Sequence, residues 1–327
     1  MKDITVVDYN EQEAHEYHPE RLEDCFPFRD NANVTWVNLS GLDKDEVHRL
    51  CMHYQIHYLF EQDILSHGQR PKMDEQDNII FCLLNMLRID EQTERLDKEQ
   101  VSIVLGPGFV ITFQEEPYFD AFKSIRENIK SGQNRIRLKG ADFLCYSMLD
   151  AIVDDYSAII DDYGDRIENY EDDLVLKKNY NFSISNMIHI RKDLTLLRRN
   201  IIPVREIISN LLKTSNTLIE KNTERYFKDI YDHILQAQDI MESYHDTMVN
   251  LHDLYLNKSS LKMNESMNVM AVVTCLLAPA TVFSGIFGMN FEHIPYLHAP
   301  HSFYVLIAIV LVIMLFMLVI FRVKRWI

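Results

Sequence analysis

Glycine and proline are scarce, nine of each in 327 residues. That excludes a collagen-like or linker-dominated chain and leaves room for long uninterrupted elements. Neither residue occurs between Pro203 and Pro279, a stretch of 75 residues rich in Leu, Ile, Glu, Lys and Gln. Such punctuation predicts one or two very long helices. Cysteine is also sparse: Cys25, Cys51, Cys82, Cys145 and Cys275 are scattered, with no C-x-x-C pair. An odd, unpatterned set fits a reducing compartment better than a disulfide framework. The opening MKDITVVDYNEQEAHEYHPE lacks the apolar core of a signal peptide. No G-x-x-x-x-G-K, G-x-S-x-G or H-E-x-x-H motif occurs, so no motif points to a nucleotide site, a hydrolase or any other enzyme.

Positive charge is missing where it matters most. Residues 266–321 hold no Lys or Arg and a single acid, Glu292, whereas residues 1–265 hold 30 basic against 48 acidic residues. The formal net charge of −16 excludes a nucleic-acid partner, which needs a basic face to replace counterions. The chain is an acidic soluble part joined to an apolar tail. Ser266 to Phe291 is uncharged over 26 residues, and Ser302 to Phe321 is a further 20, nearly all apolar. A bilayer core of ~30 Å needs about 20 such residues in a helix. Two membrane spans are expected. The connection between them has no basic residue, while Arg322, Lys324 and Arg325 follow the second. The bias of basic residues towards the cytoplasm places both termini there, in a cell (inner) membrane, with Trp326 as an interfacial anchor.

The soluble part reads in two halves. VTWVNL (34–39), IIFCLLNMLRI (79–89), VSIVL (101–105) and FVITF (109–113) are β-rich runs, the last two joined as a hairpin by Gly106-Pro107-Gly108. Residues 43–67 read as helices between strands, and 140–200 as helical with a break at Gly164. A continuous helix is expected from about Glu224 to Met289, on the order of 100 Å at ~1.5 Å per residue. The fold class is thus α+β, organised as a 1–130 α/β domain, a 131–223 long-helix region and a 224–289 stalk and first span. An outer connection (290–301), a second span (302–321) and a basic tail (322–327) follow.

Three constellations bear on chemistry. Asn264, Met267, Ala271, Thr274, Ala278, Thr281 and Gly285 recur at alternating steps of three and four and share one helix face, small or polar except for Met267. Two readings fit the spacing: close packing of small residues between helices, and the wall of a pore formed by several copies. Residues 142–173 carry eleven acids and one basic residue, Arg166. That run is either a solvated face or a surface for hard divalent cations, which prefer carboxylate oxygen. His48, Cys51, His53 and His57 match no tight zinc pattern, and His293, His298 and His301 fall in the outer connection.

Gly288-Met289-Asn290 closes the first span, after Pro279 and Gly285 and before a second span with a basic end. In that setting the tripeptide resembles the signature of the CorA family of magnesium transporters. PFRD (27–30), QRPK (69–72), EQVSIVL (99–105), DAIVDDY (150–156), YFKDIYDH (226–233) and HDLYL (252–256) extend the likeness over most of the chain. The resemblance implies a funnel-shaped homopentamer in the lipid bilayer, with the stalk helix running into a pore-lining span. It implies a selectivity ring at Gly288, Met289 and Asn290, and reads the alternating face as the pore wall. It further implies regulatory metal sites between subunits. One pairs Asp63 with Asp229; a second uses Asp150 and an acid just before Asp63, where this chain has the neutral Gln62. Asp253 matches a stalk acid. Ala278 stands where some relatives carry methionine, which moves the expected constriction to Met267 and Met270.

The function expected is influx of hydrated Mg²⁺, with Co²⁺ and Ni²⁺ as companions, down the electrochemical gradient and gated by internal Mg²⁺. Mg²⁺ is then both cargo and regulator. Two alternatives stand: a zinc or other transition-metal transporter on the same fold, and a membrane-anchored helical scaffold that conducts nothing.

Overall fold

The computed structural model describes residues 3–90, 93–115, 122–132, 135–176, 184–289 and 301–324. Asn290, the connection 291–300 and residues 325–327 with Trp326 lie outside the described residues. The chain divides into two compact units, Met1–Val249 and Asn250–Ile327.

The first unit opens with β1 (Asp3–Tyr9), β2 (Ala14–Tyr17) and β3 (Val34–Ser40), then α1 (Lys44–His53) and α2 (Tyr58–Leu65). The strands β4 (Lys72–Gln76), β5 (Ile79–Ile89), β6 (Leu96–Gly106) and β7 (Phe109–Gln114) follow. They form one sheet in the order β2-β1-β3-β7-β6-β5-β4. The central β3–β7 pair is parallel and every other pair is antiparallel. The four apolar runs of the sequence are the inner strands β3, β5, β6 and β7, with β1 the fifth inner strand, and they read as nearly unbroken apolar stretches because both faces are covered. Phe81 and Leu83 of β5 join a core with Val47, Leu50, Phe60 and Ile64 of α1 and α2. The alternate residues Ile80, Cys82 and Leu84 are equally buried. On that side α4 (Ala141–Leu176) crosses the sheet, and its Tyr156 hydroxyl donates to the Asn85 carbonyl. The hairpin at Pro107-Gly108 turns as expected, with Gly108 at φ 77° as a glycine at that corner requires.

Before α4 comes α3 (Lys123–Ser131); after it come α5 (Ile184–Leu211), α6 (Lys221–Phe287) and α7 (Ser302–Val323). Gly164 does not break α4. A Cβ there would stand 2.8 Å from Cζ of Tyr244, so the glycine marks a close approach of the α6 phenol to the α4 backbone. The stretch between Pro203 and Pro279 does contain a break, at residues 212–220, made without glycine or proline. Asn216 N–H donates to Thr214 Oγ1 at 3.2 Å and Leu218 N–H to Asn216 Oδ1 at 3.1 Å. Such short polar side chains offer the backbone an alternative to the helical ladder. The buried Asp142 then accepts Glu220 N–H at 3.0 Å, placing a carboxylate at the start of α6, where the helix dipole favours it. Both prolines lie inside helices, Pro203 in α5 and Pro279 in α6.

Candidate ion-binding sites

In the second unit the end of α6 and the whole of α7 are each long and apolar enough to cross a membrane. Their side chains are mostly exposed, and the exceptions recur at helical spacing. On α6 they are Val272, Leu276, Pro279, Ala280, Phe283 and Phe287; on α7 they include Leu306, Val310, Ile313, Met317 and Phe321. At 3.6 residues per turn, the face of Asn264, Met267, Ala271, Thr274, Ala278, Thr281 and Gly285 points roughly 180° away from the shielded seam of α6. All seven are exposed. Within one chain, therefore, the small residues do not serve the helix packing that was one of their two readings.

The hydroxyls on that face are oriented by their own helix. Thr274 donates to the Met270 carbonyl at 2.8 Å and Thr281 to the Leu277 carbonyl at 3.0 Å. With the proton committed to the backbone, each oxygen turns lone pairs outward. A column of acceptors suits the water shell of a cation, whose outward-facing hydrogens are donors.

Gly288 follows α6 in a turn whose N–H donates to Ser284 O at 2.9 Å, and Met289 N–H donates to Ile286 O at 3.3 Å. Glycines that end helices are often left-handed, but Gly288 is not: the positive-φ glycines are 41, 68, 108 and 132. Continued helical and 3-10 bonds close the last turn instead, so no left-handed residue is needed. A Cβ on Gly288 would lie 3.0 Å from Ser284 O. Met289 is exposed, and its neighbour Asn290 lies outside the described residues. Asp253 is also exposed, with its Oδ1 3.9 Å from His252 Nδ1.

The acids of the first unit divide by environment. Asp63, on α2, is held by the Lys72 ammonium at 2.6 Å, and Lys72 also reaches Asp74 at 3.4 Å. Burial alone would lower Lys72, but the hydrogen bond and charge of Asp63, with those of Asp74, raise it instead. Asp150 and Asp154 lie one turn apart on α4, facing His233 of α6, with the ligand atoms of all three within 4.8 Å of one another. The Tyr146 hydroxyl donates to Asp150 Oδ2 at 3.2 Å. Asp150 is pushed above the ordinary carboxylate range, first by desolvation, then by the like charge of Asp154; Asp229, one helical turn before His233, adds to the rise. Two predicted acids, Asp150 and Asp229, are thus brought into one electrostatic neighbourhood, and Asp63 is tied elsewhere by a cation. Elsewhere in the acidic run Asp162 pairs with Arg166 at 2.6 Å, and burial with the charge of Asp154 pushes Asp155 up to about 6.

Sequence reasoning missed Asp154, His233 and Lys72. The signal for the first two was present, since DAIVDDY and YFKDIYDH each place two ligating residues four apart on one helix face. The histidine-rich segment forms no metal cluster among the described residues. His48 bonds Glu61 at 3.1 Å, His53 stacks on Phe26, His57 caps α2 and Cys51 is buried in the core.

An α/β unit that feeds a long helix into the first of two apolar C-terminal spans, with an uncharged polar face along that span, defines the class: a membrane protein built to handle ions. Residues 31–325 match the family model described as CorA-like Mg²⁺ transporter protein, and the chain belongs to that family. It is 37% identical over 325 residues to the cobalt/magnesium transport protein CorA of Thermotoga maritima, covering 99% of this chain and 92% of that one. The complete structure of the CorA magnesium transporter from Methanocaldococcus jannaschii superposes with a TM-score of 0.80 at 22% identity, over 99% of this chain and 98% of that one. The ZntB cytoplasmic domain from Vibrio parahaemolyticus gives 0.61 at 16% identity, over 79% of this chain and 99% of that one. At such identities the two structures speak for the fold alone. Family and spans together make this a membrane transporter rather than a catalyst.

Proposed function

We propose that the chain is the subunit of a homopentameric, channel-like transporter that admits hydrated Mg²⁺, and Co²⁺ with it, down the electrochemical gradient. The observation that carries this reading is the uncharged acceptor face of α6, turned away from the seam its own chain shields. Five copies around an axis would line a path with threonine lone pairs. Mg²⁺ dehydrates reluctantly, so a path that hydrogen-bonds its water shell moves it faster than one that strips it. A ring of Asn290 amides at the outer mouth selects by shell size, and its neutrality lets the ion leave again. Met267, repeated five times, closes the path by dewetting. A membrane potential contributes about 4.6 kcal/mol per 100 mV to a doubly charged ion, from ~2.3 per unit charge. With both termini in the cytoplasm, the acidic unit samples internal Mg²⁺.

Closure follows from Mg²⁺ held between Asp63 of one subunit and Asp229 of the next, with Asp150 contributing and Gln62 weakening the second position. Facing carboxylates repel unless a cation lies between them, so the metal stabilises whichever state brings them together. In the isolated chain Lys72 occupies Asp63, and Mg²⁺ must displace that ammonium. Proteoliposome uptake of Mg²⁺ and Co²⁺ tests the reading: Asn290→Ala should abolish uptake while the pentamer persists. Wild-type uptake by an assembled variant would sink the selectivity ring, and a wild-type protein that passes no divalent ion would leave a scaffold.

A further inference from the structure

The sheet unit holds a cavity of about 570 Å³ that the transport reading does not use. Four cations line it: Arg70 from the QRPK segment, Lys98 of β6, and Arg198 and Arg199 of α5; no carboxylate does so among the described residues. The chain as a whole is acidic, with 49 acids against 33 Lys and Arg, so the charge lining this cavity is opposite in sign to that of the molecule. Glu206 reaches only Arg70, at 3.5 Å. Among the described residues no acid pairs with the side chains of Lys98, Arg198 or Arg199, whereas Arg49 and Arg166 are paired with acids.

The remaining wall is of a different character. Asn85 and Asn200, both nearly fully buried, are joined by a hydrogen bond of 2.8 Å. Each amide nitrogen carries two hydrogens, and the Asn85–Asn200 bond and the Asn200–Leu196 bond use one from each. Leu196, Ile202 and Pro203 add apolar surface beside them. Unpaired cations on one side, with buried amides and an apolar wall on the other, suit a ligand that is polyanionic at one end and partly apolar and hydrogen-bonding at the other.

We infer that this cavity is a nucleotide site, taking the phosphates of a nucleoside triphosphate on Lys98, Arg198 and Arg199 and its base against the amide and apolar wall. The volume lies within the ~300–1,000 Å³ of ordinary small-molecule sites. Guanidinium forks bind phosphate oxygens bidentately, and a Lys adds a point charge. The cations come from elements far apart in sequence, so no glycine-rich phosphate motif is needed or present. A nucleoside triphosphate is itself a Mg²⁺ ligand, which links this site chemically to the proposed cargo.

The test is equilibrium binding of ATP to the full-length, detergent-solubilised protein in EDTA, with pyrophosphate and adenosine as separate probes. ATP should bind saturably, and more tightly than either probe. The double variant Arg198→Glu, Arg199→Glu should weaken ATP at least tenfold. Should that variant misassemble by size-exclusion chromatography, Lys98→Glu, at an exposed strand position, should weaken it at least threefold. No saturable binding at millimolar ATP overturns the site. So does unchanged affinity in a correctly assembled variant. Pyrophosphate binding as tightly as ATP overturns the nucleotide and leaves an anion pocket. Transport is not read in any arm, so failure here leaves the ion path untouched.

Discussion

The two units treat the same residue types in opposite ways. In the sheet unit Val110, Ile111 and Leu84 are fully buried. In the second unit Val312, Leu315 and Phe316 are about two-thirds exposed, at 66%, 66% and 65%. Water would not tolerate a surface of that kind at such length. The first unit buries most of its apolar side chains within its own chain, and the second leaves them exposed, as membrane spans do towards lipid. Polarity inverts with it: in the sheet the buried Trp36 Nε1 donates to Thr112 Oγ1 at 2.9 Å, while Thr274 and Thr281 present acceptors outward.

A single carboxylate placed in each unit breaks the comparison most forcefully. Val110→Asp, in a central strand, should cost more than about 4 kcal/mol and abolish the cooperative thermal transition seen by circular dichroism. Leu315→Asp should leave that transition in place and reduce membrane insertion, by roughly 2.5–3.5 kcal/mol at mid-span. If both changes melt the sheet unit alike, the two regions do not differ in solvent as argued.

The face of α6 is the next point of leverage. Replacing Thr274 and Thr281 together by Val should lower Mg²⁺ uptake about tenfold, or roughly 1.4 kcal/mol of barrier. Val273→Thr, off that face, should change nothing. Equal losses from both variants would mean that hydroxyls matter only generically along the span.

Lys72→Met sharpens the reading of the acids by removing the ammonium that competes for Asp63. Internal Mg²⁺ should then close the transporter at a concentration about threefold to tenfold lower, read as flux against internal Mg²⁺. An unmoved midpoint would show that Asp63 is not a ligand of the closing ion. The smallest effect belongs to Gly288→Ala: with no left-handed φ to lose, uptake should stay within about twofold of wild type, since Ser284 O need shift only slightly. A large loss would restore a special backbone role for that glycine.

Much of this was legible from the residues. Apolar runs gave four of the five inner strands, β1 (Asp3–Tyr9) being the one not read, and a glycine- and proline-free stretch gave the long helices. Uncharged segments gave the spans, and three-four spacing gave the exposed face of α6. What was missed is physically consistent. The strands β2 (AHEY) and β4 (KMDEQ) are polar sheet edges, defined by their pairing partner rather than by burial. The break at 212–220 was hidden because Thr and Asn side chains made it, and Gly164 read as a break because a glycine in a helix looks the same whether it ends the helix or receives a neighbouring ring. The tie from Asp63 to Lys72, the meeting of Asp150, Asp154 and His233, and the cations around the Asn85–Asn200 pair were decided only by tertiary structure. Sequence fixes what each short segment prefers and which solvent it suits, because those depend on local periodicity and charge. Which charged side chains face each other depends on how α2, α4, α5 and α6 pack on the sheet, and packing is a property of the whole fold.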